Sequence, residues 1–135
     1  MYSRSHLAVS AVLGGAVALW AGAAPGRAAI VVVYAAVLGT AIDLDHFVIA
    51  RLRTGDWHNL RLAVADPRAA FVEQERLFEP GDVGVLTRLT SHALIGGFVV
   101  AVLAPVAPLF ALVSAVVVYG HVLCDLAAGV WKYER

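Results

Sequence analysis

The chain has 135 residues, of which 61% are hydrophobic and 15% charged, and its formal net charge is zero. Soluble domains are typically about 45–50% apolar and about 25% charged, so this composition favours a membrane protein. A neutral chain lacks the excess of basic residues that nucleic-acid binding requires, and its length suits one domain over residues 1–135. The single cysteine, Cys124, excludes an intramolecular disulfide and a thiolate-based zinc cluster.

Four apolar segments follow one another along the chain. They cover residues 6–24, 28–50, 86–104 and 109–130, and eighteen helical steps of about 1.5 Å already approach the ~30 Å hydrocarbon core of a bilayer. Residues 25–27, Pro-Gly-Arg, predict a tight turn between the first two segments. We therefore expect an all-α, polytopic membrane protein built on a bundle of four transmembrane helices.

The first apolar segment has two further features. Small residues recur in it at spacings of three and four, which predicts a helix face suited to close packing in lipid. The residues of this face are Ala11, Gly15, Ala18 and Gly22. Arg4, the apolar stretch and the small residues near Ala24 also resemble a secretory signal peptide. We favour a transmembrane helix, because the segment is long for a signal core and a second span follows almost at once.

Residues 51–85 form an extended polar loop. Asp66 followed by Pro67 is typical of a helix N-terminus, so we expect a short helix over residues 67–78. Its partly apolar face would allow it to lie on the membrane surface or over a site, and a plain connecting helix is the alternative. His58 is interpreted as an ordinary surface histidine.

Basic residues are divided unequally between the two sides that four spans define. Of the ten lysines and arginines, nine fall on the side of the termini and the 51–85 loop, and Arg27 alone falls on the other. The positive-inside rule then places both termini and this loop in the cytoplasm. We expect a multi-pass protein of the inner cell membrane.

Ionisable side chains interrupt all four apolar segments, always in the half that this orientation makes cytoplasmic. Such groups cost roughly 2.5–3.5 kcal/mol each at membrane depth and usually mark function. Helical spacing puts His121 and Asp125 on one face and Asp43 and His46 on another, whereas Asp45 points elsewhere unless the helix ends there. The candidate metal ligands are His6, Asp43, Asp45, His46, His92, His121 and Asp125.

Imidazole and carboxylate ligands without thiolate suit zinc, manganese or iron(II). We expect a divalent ion, with zinc favoured, and the surplus of ligands leaves room for supporting partners, a general base or a second ion. A metal lowers the pKa of bound water toward ~7, and Asp45 or Asp125 is a candidate to take its proton. Arg88, about one turn before His92, is a candidate to hold an anionic substrate, or is simply an interfacial arginine that fixes topology.

These residues resemble the motifs of small membrane proteins described as membrane-bound, metal-dependent hydrolases, some of them induced in the bacterial DNA-damage response. Members have a histidine at the start of the first helix, matched by His6, and a Pro-Asp-x-Asp-His motif after the second, matched by residues 42–46. A His-Arg stretch leading to Thr-His-Ser corresponds to residues 87–93, and a late histidine with an aspartate four residues on corresponds to His121 and Asp125. The chain resembles a divergent member, since it departs from the pattern at Ile42, Thr87, Ser91 and Ala93.

The resemblance implies a metal-dependent hydrolase. With the orientation given by the basic residues, our first hypothesis is that it acts at the cytoplasmic face on a lipid-linked or phosphorylated substrate. One alternative is a metal or proton transport component or sensor without hydrolysis, because intramembrane His and Asp residues also build relays. A structural protein whose buried pairs fix the bundle is another. The expected partners are the lipid bilayer and a small-molecule or lipid substrate, without nucleic acid, and a homo-oligomer is left open.

Overall fold

The computed structural model describes residues 3–66, 68, 73, 76–79 and 81–133. These residues confirm the all-α class: they form six α-helices and a 3₁₀ turn, and no strand occurs among them. The helices are α1 (Ser3–Trp20), α2 (Pro25–Ala41), α3 (Asp45–Thr54), α4 (His58–Ala65), α5 (Val85–Leu103) and α6 (Pro108–Tyr133), and the 3₁₀ turn is Ile42–Leu44.

Three helical segments of the described chain are long and apolar enough to cross a membrane, namely Pro25–Thr54, Val85–Leu103 and Pro108–Trp131. They indicate a membrane protein, in agreement with the composition. Helix α1 is not among them. It begins with the polar sequence Ser-Arg-Ser-His, which lowers the mean hydropathy of its 18 residues. The presence of four transmembrane helices therefore stays a prediction.

The second apolar segment is not one continuous α-helix. Helix α2 ends at Ala41, the 3₁₀ turn follows, and α3 begins at Asp45 and continues to Thr54. A 3₁₀ turn winds more tightly than an α-helix and, inside a longer helix, often marks a functional position. The carboxylates of Asp43 and Asp45, on either side of Leu44, both lie within 3.7 Å of His46 Nε2 and His92 Nε2.

The turns between antiparallel helices lie just before proline, not on it. Pro25 and Pro108 are the first residues of α2 and α6, where a missing N–H costs nothing and the fixed φ suits the helix. The turn predicted at residues 25–27 instead occupies residues 21–24. Gly22 has φ +61° there, a conformation that glycine adopts without steric cost.

Helix α1 packs along α2, and both contact α6, which also packs against α5. The close approach of α1 to α2 depends on small residues, since a Cβ on Gly14 would overlap Ala35, and one on Gly39 would overlap Ser10. The main apolar core is a cluster of buried residues from α1, α2 and α6. It consists of Val17, Ala18, Val31, Ala35, Val113 and Val117.

The small-residue face predicted for α1 is displaced in the structure. The buried face includes Ser10, Gly14 and Ala18, so only Ala18 belongs to both sets. Gly22 has nothing within 4 Å of the position its Cβ would take. The prediction was wrong in register because an alanine-rich helix offers several small-residue stripes of similar spacing.

The loop helix predicted over residues 67–78 lies largely outside the described residues. Helix α4, which the sequence did not predict, lies earlier in the loop. Arg53 at the end of α3 ties the loop to α5, because its guanidinium donates to the Gly81 carbonyl at 2.9 Å and to Thr87 Oγ1 at 3.0 Å.

Candidate metal centre

Three imidazole rings converge on one carboxylate oxygen of the 3₁₀ turn. Asp43 Oδ1 lies 3.2 Å from His121 Nε2, 3.5 Å from His46 Nε2 and 3.7 Å from His92 Nε2. The rings come from α6, α3 and α5, so residues distant in sequence meet at one point. Burying so many polar groups in an apolar bundle is unfavourable unless hydrogen bonds or charges compensate them. Their convergence therefore indicates a specific binding site.

Two overlapping groups of side chains have the arrangement of metal ligands. Asp43, His92, His121 and Asp125 are all buried, and each offers a ligand atom within 4.8 Å of the others. Asp45, His46 and His92 form a second such group, which is less buried. His92 belongs to both, so the two groups are continuous. The buried cluster can hold a metal ion, and its donor set of imidazole and carboxylate matches the one predicted.

The tautomer of His121 is fixed by the backbone of α2. Its Nδ1 lies 3.0 Å from the Gly39 carbonyl oxygen, and because a carbonyl only accepts, Nδ1 carries the proton. The lone pair of a neutral ring is then on Nε2, which has no hydrogen-bond partner and faces two carboxylates. In metal-binding histidines, the ring nitrogen that does not bind the metal usually donates its N–H to a carbonyl or carboxylate in this way.

The carboxylate of Asp125 is enclosed by side chains from three helices. Its Oδ1 lies 3.3 Å from His6 Nε2, and its Oδ2 lies 3.4 Å from Arg88 Nε and 3.5 Å from His121 Nε2. The His6 ring stacks on His121 with centroids 3.7 Å apart. His6 is thus adjacent to the cluster but belongs to neither ligand group, which is the arrangement of a supporting residue.

Asp45 is held by the neighbour of His92 on α5. Ser91 Oγ donates a hydrogen bond to Asp45 Oδ2, while Asp45 Oδ1 lies 3.3 Å from His92 Nε2. Both carboxylate oxygens therefore have a hydrogen-bond partner on α5, and Oδ1 is the one directed at the cluster. Ser91 was not predicted as a site residue, although its position directly before His92 is a usable signal.

The structure brings all seven predicted ligands and Arg88 into one region. Two predicted pairs on shared helix faces are in contact, since His121 lies 3.5 Å from Asp125 and His46 lies 3.5 Å from Asp43. The Gly39 carbonyl was missed, because backbone atoms carry no signal in the side-chain pattern. The individual catalytic and ligating roles stay predictions.

Three carboxylates meet in the cluster, those of Asp43, Asp45 and Asp125. Asp43 and Asp45 face histidine rings, whereas Asp125 faces the Arg88 guanidinium as well as histidine rings. Buried carboxylates are strongly unfavourable unless positive charge compensates them. A divalent cation held by the cluster would supply such charge.

No family model, curated protein or solved structure matches the chain. The fold and the site by themselves define the class: an all-helical membrane protein with a buried histidine–aspartate cluster that can hold a metal ion.

Proposed function

We propose that this protein is a membrane-embedded, metal-dependent hydrolase of the inner cell membrane, with its site at the cytoplasmic face. The observation that carries the proposal is the orientation of His121. Its protonated Nδ1 is bound to the Gly39 carbonyl, and its Nε2 faces Asp43 Oδ1 at 3.2 Å without a hydrogen bond. A divalent ion, with zinc favoured and manganese or iron as alternatives, suits this donor set.

Four residues are proposed as the main ligands: Asp43, His92, His121 and Asp125. All are buried, and they come from the 3₁₀ turn, α5 and α6. Asp45 and His46 are proposed to complete the shell or to hold a second ion through the shared His92. His6 is proposed to support Asp125, from which its Nε2 is 3.3 Å away.

A bound divalent ion would polarise the scissile bond and activate water for attack. In the overall reaction a water oxygen joins the phosphorus or acyl carbon, the ester bond to the leaving oxygen breaks, and that oxygen gains a proton. Asp45 is proposed as the base, because one of its oxygens is held by Ser91 and the other is directed at the cluster. Arg88, whose side chain is 22% exposed, is proposed to hold an anionic oxygen of the substrate.

The four-span topology, with both termini and the polar loop in the cytoplasm, is part of the proposal. Its support is the apolar surface of α1, where Leu7, Val12, Leu19 and Trp20 are exposed although the helix packs along α2. An apolar face that long is unfavourable in water and suits lipid. Placed this way, the cluster lies in the cytoplasmic half of the bundle, because it gathers residues from the first halves of α1 and α5, from the 3₁₀ turn after α2 and from the second half of α6.

The test is hydrolysis by the purified protein in detergent, before and after removal of metal by a chelator. Chromogenic phosphomonoester, phosphodiester and short acyl ester substrates cover the expected reactions. We expect activity that disappears on chelation, returns with zinc or manganese, and is lost in Asp43→Asn but retained in His58→Ala, which alters an exposed loop residue. Stoichiometric metal without hydrolysis of any of the three would contradict the proposal and favour the transport or sensor alternative.

A further inference from the structure

An apolar groove of about 470 Å³ adjoins the metal centre. It lies against α1 and α2, and Leu7, Val33 and Val37 contribute to its walls. Asp43 and His46 are also part of its lining, so the groove reaches the cluster directly. Its volume is within the roughly 300–1,000 Å³ of small-molecule sites.

The groove has the depth of one leaflet of a bilayer. In the proposed topology, Val33 would lie near the bilayer centre, because it is eight residues into α2, about 12 Å along the helix axis. Val33 and Phe47, which both line the groove, are fourteen helical steps apart, about 20 Å, compared with the ~15 Å of one hydrocarbon leaflet. Its apolar part thus lies at the depth of lipid chains, and its polar end lies at the depth of the metal centre.

An aromatic residue of the loop covers the polar end of the groove. The Phe78 ring lies 5.3 Å from that of Phe47 and 6.0 Å from that of His46, centroid to centroid. Asn59 Nδ2 donates to the Leu77 carbonyl at 2.5 Å, which holds this part of the loop against α4. A molecule in the polar end of the groove would therefore contact Phe78 beside His46.

We propose that the groove binds the acyl chain of an anionic phospholipid, so that the phosphate-bearing head group lies against the metal centre. This inference rests on the proposed function and names the substrate class of the same site. A lipid fits better than a water-soluble phosphate ester, because most of the lining is apolar and the groove lies along a membrane-capable segment. The head group would meet the cluster near Arg88 and any bound cation.

The experiment uses the full chain reconstituted in phosphatidylcholine vesicles that contain a small proportion of phosphatidic acid with a diazirine in its acyl chain. After illumination, mass spectrometry maps the labelled peptides, and elemental analysis measures metal in the same preparation. We expect the label to be concentrated on the groove segment, residues 33–47. Val37→Trp should reduce this labelling about tenfold while the metal content stays unchanged.

Ile30→Trp is the matched control. Ile30 lies on the same face of α2, two helical turns before Val37, and is 60% exposed compared with 61% for Val37, but it does not line the groove. Labelling spread evenly over the lipid-facing helices, or equal in the two tryptophan variants, would overturn the inference even where metal is bound. If Val37→Trp fails to fold, the distribution of the label on the wild-type protein tests the lipid groove by itself. Labelling of the groove in a protein without metal would contradict the proposed function but not the lipid groove.

Discussion

Asp43 Oδ1 and His121 Nε2 lie 3.2 Å apart, yet His121 Nε2 has no hydrogen-bond partner. Because the other ring nitrogen is committed to Gly39, a neutral His121 presents a lone pair to a carboxylate oxygen. Two electron-rich atoms at this separation repel each other unless a cation or a second ring proton lies between them. The metal hypothesis and a purely structural ion pair therefore make different predictions for this one contact.

The Gly39 position should be sensitive to a single methyl group. A Cβ there would overlap Ser10, so Gly39→Ala should separate α1 from α2 and move the carbonyl that holds His121. Overpacking of this kind costs about 1–3 kcal/mol. We expect a lower melting temperature in detergent, together with weaker metal binding.

The matched control for this substitution is Gly97→Ala in α5, where nothing lies within 4 Å of the added Cβ. Alanine is favoured over glycine inside a helix by about 0.5–1 kcal/mol, so this variant should be as stable as the wild type or more so. A double variant, Ser10→Gly with Gly39→Ala, should recover part of the lost stability. Equal melting temperatures for Gly39→Ala and Gly97→Ala would show that the helices are not packed as described.

Ser91 should act on the metal centre through Asp45. Its hydroxyl fixes one oxygen of that carboxylate, and removing such a supporting partner typically lowers metal affinity about 10–100-fold. Ser91→Ala should therefore bind zinc at least about tenfold more weakly in competition with a chromogenic chelator. Thr90→Ala, the adjacent exposed residue, is the control, and identical affinities for the two variants would refute this role.

The topology can be tested with cysteines introduced one at a time into a Cys124→Ala background. In oriented vesicles, Asp56→Cys in the loop and a cysteine added before Met1 should react with a membrane-impermeant thiol reagent from the cytoplasmic side. Gly26→Cys, at the start of α2, and Val106→Cys, in the turn between α5 and α6, should react only from the opposite side. If the added N-terminal cysteine and Gly26→Cys react from the same side, α1 does not cross the membrane.

The sequence predicted the class of the fold and the residues of the cluster, because a membrane restricts the residues that a spanning helix tolerates. Apolar length indicates a membrane helix, and an ionisable residue such as His92 within one is too costly to be incidental. The sequence indicated that the ionisable residues meet in one region, but not that three histidine rings converge on Asp43. Regular helical geometry directs Asp45 away from the site, and the 3₁₀ turn that redirects it depends on tertiary packing.

The register of helix contacts was the least predictable part. The packing face of α1 could not be chosen from several stripes of small residues, and the turn after α1 was displaced from Pro25 to Gly22. The hydrogen bond between His121 and Gly39 was also beyond prediction, because it joins a side chain to a backbone atom 82 residues away. Such contacts follow only from the three-dimensional arrangement of the helices.

The most direct measurement is the metal content of freshly purified wild-type protein beside His121→Ala and His58→Ala. A metal centre predicts nearly one equivalent or more of a divalent metal in the wild type and in His58→Ala, and its loss from a His121→Ala protein that is still folded. Helical content from circular dichroism confirms the folding of each variant. Wild-type protein that contains no metal and binds neither zinc nor manganese on titration would contradict the metal centre and leave a protonated, structural His121 as the explanation of the cluster.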